Sequence, residues 1–330
     1  MSLSPPLSPA APTTRALRLV FAGSPSAAVP SLRLLCRSQH EVVSVITRAD
    51  SPQGRRGVLT ATPVAAEATN AGIPVIKANR LAGEATELVQ GLDADLGVIV
   101  AYGALVRQPL LSAPRLGWIN LHFSLLPRWR GAAPVQRAIM AGDDVTGATV
   151  FQLVPELDAG DIYGRMTETI GAQQTTGHLL DSLAGSGAEL LLRVVDALAD
   201  GSARAEPQVG DVTLAPKLTI ADGDIDWREP AAAVHAMIRG VTPEPGAFTS
   251  IDGARLKILE TAVARDRAQL QPGEMQFVDR EILIGTSTEP LSIITVHPAG
   301  RKAMDAASWW RGRAGADLTT LATMTPGRTT

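Results

Sequence analysis

Asn120 and His122 lie two residues apart in the stretch INLHFSLLPRWRGAAP, residues 119–134. The apolar run 118–121 reads as a buried strand, and positions i and i+2 of a strand project from the same face. An amide and an imidazole are therefore aimed at one place. Further along, LDAGD at 157–161 is a glycine-containing turn that carries Asp158 and Asp161. A carboxylate brought beside His122 would favour the imidazolium and orient its ring. Converging imidazolium and amide donors stabilise an oxyanion, each donor being worth about 2.7–4 kcal/mol where water is excluded. The set suits acyl-type transfer without a covalent intermediate.

The same residues admit other readings. Asn-x-His at a strand end also suits a hydrogen-bonded structural pair, and Asp158 also suits an Asx-type turn. Ser124 invites a Ser-His-Asp reading, but the G-x-S-x-G elbow is missing. A metal site on His122 and Asp158 lacks an evident third ligand. The N-terminal FAGSPSAAVP has one glycine where a dinucleotide fingerprint needs three, and there is no P-loop.

The elements that would position these side chains alternate along the chain. Residues 17–22 (LRLVFA), 42–47 (VVSVIT), 73–76, 96–101 and 118–121 read as strands. Helices are expected from Pro25 to about Cys36, with Ser24 as cap, and again from Pro63. This alternation predicts an α/β fold with a doubly wound, mostly parallel, Rossmann-like sheet. Ligands bind beyond the carboxyl ends of such strands, where Asn120 and His122 fall. A helix at 132–141, a hairpin at 148–170 and a long helix at about 176–199 follow. Beyond residue 222, short runs such as ARLKIL, EILIG and LSIITV predict a small all-β, OB-like barrel, with a helix near 230–238. The expected boundaries are a disordered tail at 1–15, a catalytic domain at 16–203, a linker at 204–222 and the barrel at 223–330.

Bulk properties bound the function. A chain of 330 residues exceeds one ordinary core, and its 45% hydrophobic and 19% charged content is that of a packed globular protein. One cysteine, Cys36, excludes an internal disulfide and a cysteine-built zinc site, and it fits a reducing cytoplasm. The Pro/Ser-rich start, MSLSPPLSPAAPTTR, lacks the apolar core of an export signal. No apolar run is long enough for a membrane span. A net charge of −3 requires any nucleic acid to be held by local basic patches.

The segments INLHFSLLPRWRGAAPVQRAIMAGD and TGATVFQLVPELDAGDIYG closely resemble the methionyl-tRNA formyltransferase family. So do FAGSP (21–25), SPQGRRG (51–57), AYG (101–103), APKL (215–218), IDW (225–227) and IRGVTPEPGAF (238–248). The resemblance runs from about residue 16 to about 315. It implies that Asn120, His122 and Asp158 are a catalytic trio acting without metal. It further implies that Ser124, Leu125, Leu126 and Pro127 hold 10-formyltetrahydrofolate, and that the partner is initiator methionyl-tRNA. Arg55, with Arg56 beside it, would approach the acceptor stem, and the barrel would grip the tRNA further down. The implied enzyme is expected to be a cytoplasmic monomer with no membrane partner.

Departures from the family pattern stand at Phe123, where a small residue is usual, and at Ala27, where Phe is common. Gly57-Val58 replaces a lysine-bearing stretch, and Glu244 a usual Trp. The barrel has acidic and basic residues in near balance, so a footprint rests on Arg255, Lys257, Arg301, Lys302, Arg311 and Arg313. Trp129, Trp309 and Trp310 read as packing residues. The trio is shared by formyltransferases acting on amino-sugar nucleotides and by formyl-folate hydrolases, whereas RWRGAAP and the C-terminal motifs favour the tRNA-acting branch. Phe123 keeps open an inactive RNA- or folate-binding scaffold.

Overall fold

The computed structural model describes residues 15–54, 57–251, 253–312 and 322–323. Most of the tail read at 1–15 therefore lies outside the described residues. The chain divides into two compact units. The first holds residues through His122 together with Ala148–Met166 and Leu183–Gly210, and the second holds Phe123–Gly147, Thr167–Ser182 and the chain from Asp211.

The first unit is built on a seven-stranded mixed sheet: β1 (Arg18–Gly23), β2 (Glu41–Thr47), β3 (Val75–Lys77), β4 (Leu96–Val100), β5 (Trp118–His122), β6 (Val145–Gln152) and β7 (Ile162–Thr169), in the order β7-β6-β5-β4-β1-β2-β3. The five strands from β1 to β5 pair in parallel, and β6 runs antiparallel to β5. Strands buried on both faces read as continuous apolar runs, as β1 and β4 do. Alternating exposure in β7 marks it as the edge. The winding reverses between β1 and β4, which places a ligand crevice at their carboxyl ends.

Helices α1 (Val29–Cys36), α2 (Pro63–Asn70) and α3 (Glu84–Gln90) link the early strands. Thr62 caps α2 by accepting the Ala65 N–H at 3.0 Å, as a hydroxyl before a first-turn proline favours. Ser24 does not cap α1. A short 3₁₀ turn, Ser26–Ala28, intervenes, and the buried Ser24 hydroxyl donates to Tyr102 O while accepting from Arg48 N. It thus ties together the ends of β1, β2 and β4.

Helix α4 (Pro134–Met140) is followed by the long α5 (Thr176–Asp200), whose residues from Leu183 onward lie on the first unit's sheet. Gly187 permits that approach, since a Cβ there would press on Leu121 at 3.2 Å. His40 anchors the same helix. Its Nδ1 accepts the Leu17 N–H, so the ring proton sits on Nε2 and faces Asp196 at 3.0 Å. The stretch read as a linker is hydrogen-bonded: Glu206 and Ile162 exchange both backbone bonds, and Leu214–Ala215 pairs with Arg130–Gly131.

The second unit contains α4, α6 (Ala231–Gly240) and an antiparallel sheet. Its strands are β8 (Ala247–Ile251), β9 (Ala254–Val263), β10 (Glu274–Val278), β11 (Glu281–Ile284), β12 (Leu291–Pro298), β13 (Met304–Asp305) and β14 (Ala322–Thr323), ordered β8-β9-β12-β11-β10-β14 with β13 beside β12. Register shifts between β9 and β12 near Glu260 mark the irregularities that bend such sheets. Trp227, Ile238, Ile258, Trp309 and Trp310 are buried in its core. The last two are carried by α7 (Ala306–Arg311) and pack as expected. None of the described helices is long and apolar enough to cross a membrane.

Gly97 of β4 faces the indole of Trp118, whose Nε1 donates to Leu110 O at 2.9 Å. Gly97→Ala should cost about 1–3 kcal/mol through overpacking, read as a fall in the urea midpoint. In the second unit, His235 bridges Thr261 Oγ1 and Ala172 O. Burial holds its imidazole below the ordinary 6.5, against the raising effect of the Ala172 hydrogen bond and with help from the Arg239 charge. The unfolded chain therefore takes up the proton first as pH falls below about 6.5. Stability is expected to decline there by at most about 1.4 kcal/mol per pH unit from this group. A His235→Gln variant measured from pH 7 to 5 should show the shallower slope.

Candidate active site

Strand β5 ends at the candidate site. Asn120 lies between Ile99 of β4 and Phe151 of β6, and His122 is opposite Thr149. Two residues apart on one strand, their side chains share a face. The His122 ring is buried and meets Phe151 edge-on, with centroids 6.4 Å apart. The buried Asn120 Oδ1 has no hydrogen-bond partner among the described residues. Such an unmet acceptor costs about 1–3 kcal/mol and suits a site that a ligand's N–H or O–H completes.

Asp158 reaches this face from the turn after β6. Its Oδ2 stands 3.9 Å from His122 Nδ1, with 12% of its side chain exposed against 7% for the histidine. That separation gives charge attraction but exceeds hydrogen-bond length for these two atoms. It also fixes the polarity of the ring: Nδ1 faces the carboxylate and Nε2 points away from it. The turn is tightly built. Asp158 has φ +46°, a left-handed conformation uncommon outside glycine that Asp adopts more readily than other side chains. Gly160 is pressed so closely on Gln152 O that any Cβ there would collide. Gln152 N donates to Asp161 O at 2.8 Å, and Leu153 N donates to Trp118 O at 2.7 Å. The amide Nε2 of Gln208 then donates to both Asp158 O, at 2.8 Å, and Gly160 O, at 2.9 Å.

Ser124, Leu125, Leu126 and Pro127 belong to the second unit. Ser124 is buried with its hydroxyl donating to Arg128 O at 2.7 Å, which commits it to the strap. Leu126 and Pro127 are buried and Leu125 is half-buried. Asp143 secures the following residues, accepting two bonds from Arg128 and one from the Trp129 indole. Thr213 accepts from Trp129 N through its hydroxyl and from Arg130 N through its carbonyl, both at 2.9 Å. Phe123, just before the strap, is itself buried. Arg55, Arg56 and Arg313 lie outside the described residues.

Sequence reasoning missed two cavities of the first unit. One of about 320 Å³ at the β1/β4 reversal is lined by Ser24, Arg48, Gln53, Thr62, Tyr102 and Gly103. The other, of about 430 Å³, lies beside the Asp158 turn and includes Gln152, Glu156, Asp161 and Tyr163. The first was detectable only as a set of strand ends. Gln208 was missed as well, because nothing in its neighbourhood signals a partner fifty residues away.

Comparison with known proteins locates the chain. Residues 17–195 match the family model described as formyl transferase, and residues 217–314 match that of the formyl transferase C-terminal domain. Methionyl-tRNA formyltransferase of Clavibacter sepedonicus is 58% identical, covering 90% of this chain and 97% of the relative. That of Arthrobacter sp. (strain FB24) is 50% identical over 90% and 97%. Among solved structures, the fold is shared with an N-formyltransferase from Helicobacter canadensis in complex with folinic acid and dTDP-3-aminofucose. The TM-score is 0.65 at 17% identity, covering 84% of this chain and 98% of that one. With Asn120, His122 and Asp158 gathered at the end of β5 and both family models matched in order, this chain belongs to the formyl transferase family.

Proposed function

We propose that the chain transfers the formyl group of 10-formyltetrahydrofolate to the α-amine of initiator methionyl-tRNA, giving N-formylmethionyl-tRNA for translation initiation. The observation that carries this reading is the extent of the relatedness. Identity of 57–58% to methionyl-tRNA formyltransferases spans at least 90% of the chain and nearly all of each relative. The amino-sugar enzyme is similar in fold alone.

Folate supplies an activated formyl carbon when bound, and Ser124, Leu125, Leu126 and Pro127 are the residues assigned to hold it. The orphaned Asn120 Oδ1 and the His122 ring offer complementary polar groups to a substrate of this kind. Attack by the neutral amine places negative charge on the formyl oxygen. Asn120 Nδ2 and the protonated His122 Nε2 donate to that oxygen. Asp158, facing Nδ1 at 3.9 Å, keeps the imidazole charged and oriented. Asp158 also assists proton movement toward the departing folate nitrogen.

The proposed domains are a catalytic part at 16–203, a connecting segment at 204–222 and a tRNA-gripping part from 223. In the latter, Arg255 lies over the Phe248 ring at 3.4 Å, and Lys257 Nζ donates to Pro245 O. These, with the exposed Arg301, Lys302 and Arg311, supply phosphate contacts, and Arg55 and Arg56 supply the contact to the acceptor stem. The enzyme works as a cytoplasmic monomer.

The test is incubation with 10-formyltetrahydrofolate and methionyl-tRNA, reading formylmethionine after ester hydrolysis. Uncharged tRNA, other aminoacyl-tRNAs and amino-sugar nucleotides run alongside; formylation of the sugar in preference to methionyl-tRNA would overturn the assignment. Asn120→Ala is expected to lower kcat by about 10²–10³, and His122→Ala by about 10²–10⁴. The affinity for tRNA should fall with salt at a log–log slope of about −0.7 to −0.9 per phosphate contact, and a flat response would remove the proposed basic footprint.

A further inference from the structure

We infer that Gln208 is a positioning residue of the transfer reaction, a strut that holds the Asp158 turn at the distance from which its carboxylate orients His122. The inference rests on the function proposed above, and its geometry is all within the first unit. Asp158 stands in a turn that its own backbone disfavours, at φ +46°. One side is held by β6: Gly160 packs against Gln152 O, and Gln152 N donates to Asp161 O. The opposite side is held from a distant part of the chain. Glu206 and Ile162 exchange backbone bonds at 2.7 and 3.0 Å, which fixes residue 206 beside the start of β7. Two residues further on, the Gln208 amide donates to the carbonyls of Asp158 and Gly160, bridging the turn with one NH₂ group.

Both acceptors are backbone carbonyls, so the strut acts on the path of the chain that carries the Asp158 carboxylate. A carboxylate at 3.9 Å is sensitive to such support, because the charge interaction weakens by about a fifth for each ångström the turn relaxes outward. The two bonds that define the strut both end on the turn's backbone. Its effect passes through Asp158 to the charge state and orientation of the imidazole. A residue that merely stabilised the fold would leave that titration unchanged.

The experiment compares the parent with Gln208→Ala and with Gln208→Glu, which keeps the shape but presents oxygens to the two carbonyls. The His122 ring is followed by NMR titration of nitrogen-labelled histidine, its signal assigned by its loss in His122→Gln. In Gln208→Ala the His122 midpoint should fall by about half a pH unit or more relative to the parent. Turnover of methionyl-tRNA should fall more than about tenfold in kcat, with KM for either substrate within about threefold, because ground-state binding does not run through this strut. Gln208→Glu should be at least as impaired above pH 6, since an ionised carboxylate cannot donate. An unchanged His122 midpoint in Gln208→Ala, or a KM effect with kcat intact, would overturn the assignment. The titration needs no substrate. A parent protein that fails to formylate methionyl-tRNA would count against the proposed reaction, while the midpoint would still decide the role of Gln208.

Discussion

A carboxylate and an imidazole, both largely removed from water and 3.9 Å apart, set the demands on the first unit. Neither side chain comes from the same element as the other. His122 ends a strand with neighbours on both sides, and Asp158 tops a turn in a disfavoured conformation. Their separation is therefore a property of how β5, β6 and the following turn are stacked. Charge interaction weakens as the inverse of distance, by about a fifth per ångström at this range, so displacements of that stack alter the pairing.

Much of the first unit can be understood as support for that stack. β4 and β6 sandwich β5, and Gly97 gives Trp118 room to lie flat while its indole finds Leu110 O. Gly187 lets α5 approach Leu121 directly. On the far side of the turn, Tyr163 donates to Gln152 Oε1, whose amide nitrogen in turn donates to Trp118 O. The chain of contacts thus runs from the strand that carries Asn120 and His122, through β6, to the turn that carries Asp158. Gln208 completes it from the segment after α5.

The strap after His122 follows a different logic. Ser124, Asp143 and Thr213 spend their polar groups on the backbone and side chains of residues 128–130, holding an irregular segment whose only strand pairing starts at Arg130. A serine that looked nucleophilic in the sequence is in fact part of this internal scaffold. Arg128 is paired with Asp143.

Local patterns made a large part of this legible in advance. Apolar runs located the five parallel strands, Pro63 marked the start of α2, and strand alternation placed Asn120 and His122 on one face. Those signals are local because side-chain periodicity is set by backbone geometry within a few residues. Ser24 shows where locality ends. The Ser-Pro pair reads as a helix start, yet the hydroxyl bonds to Tyr102 O because β1 and β4 are neighbours. The nearness of Asp158 to His122 was suggested by resemblance and reached in space only through the antiparallel return of β6. Gln208 had no local signal, since its partners are backbone carbonyls, which look the same at every position in a sequence. What the sequence by itself determined was the elements and the faces they present. Which polar groups meet across those faces was decided by the tertiary structure, because a hydrogen bond or a charge pair acts over a few ångströms of space and has no regard for distance along the chain.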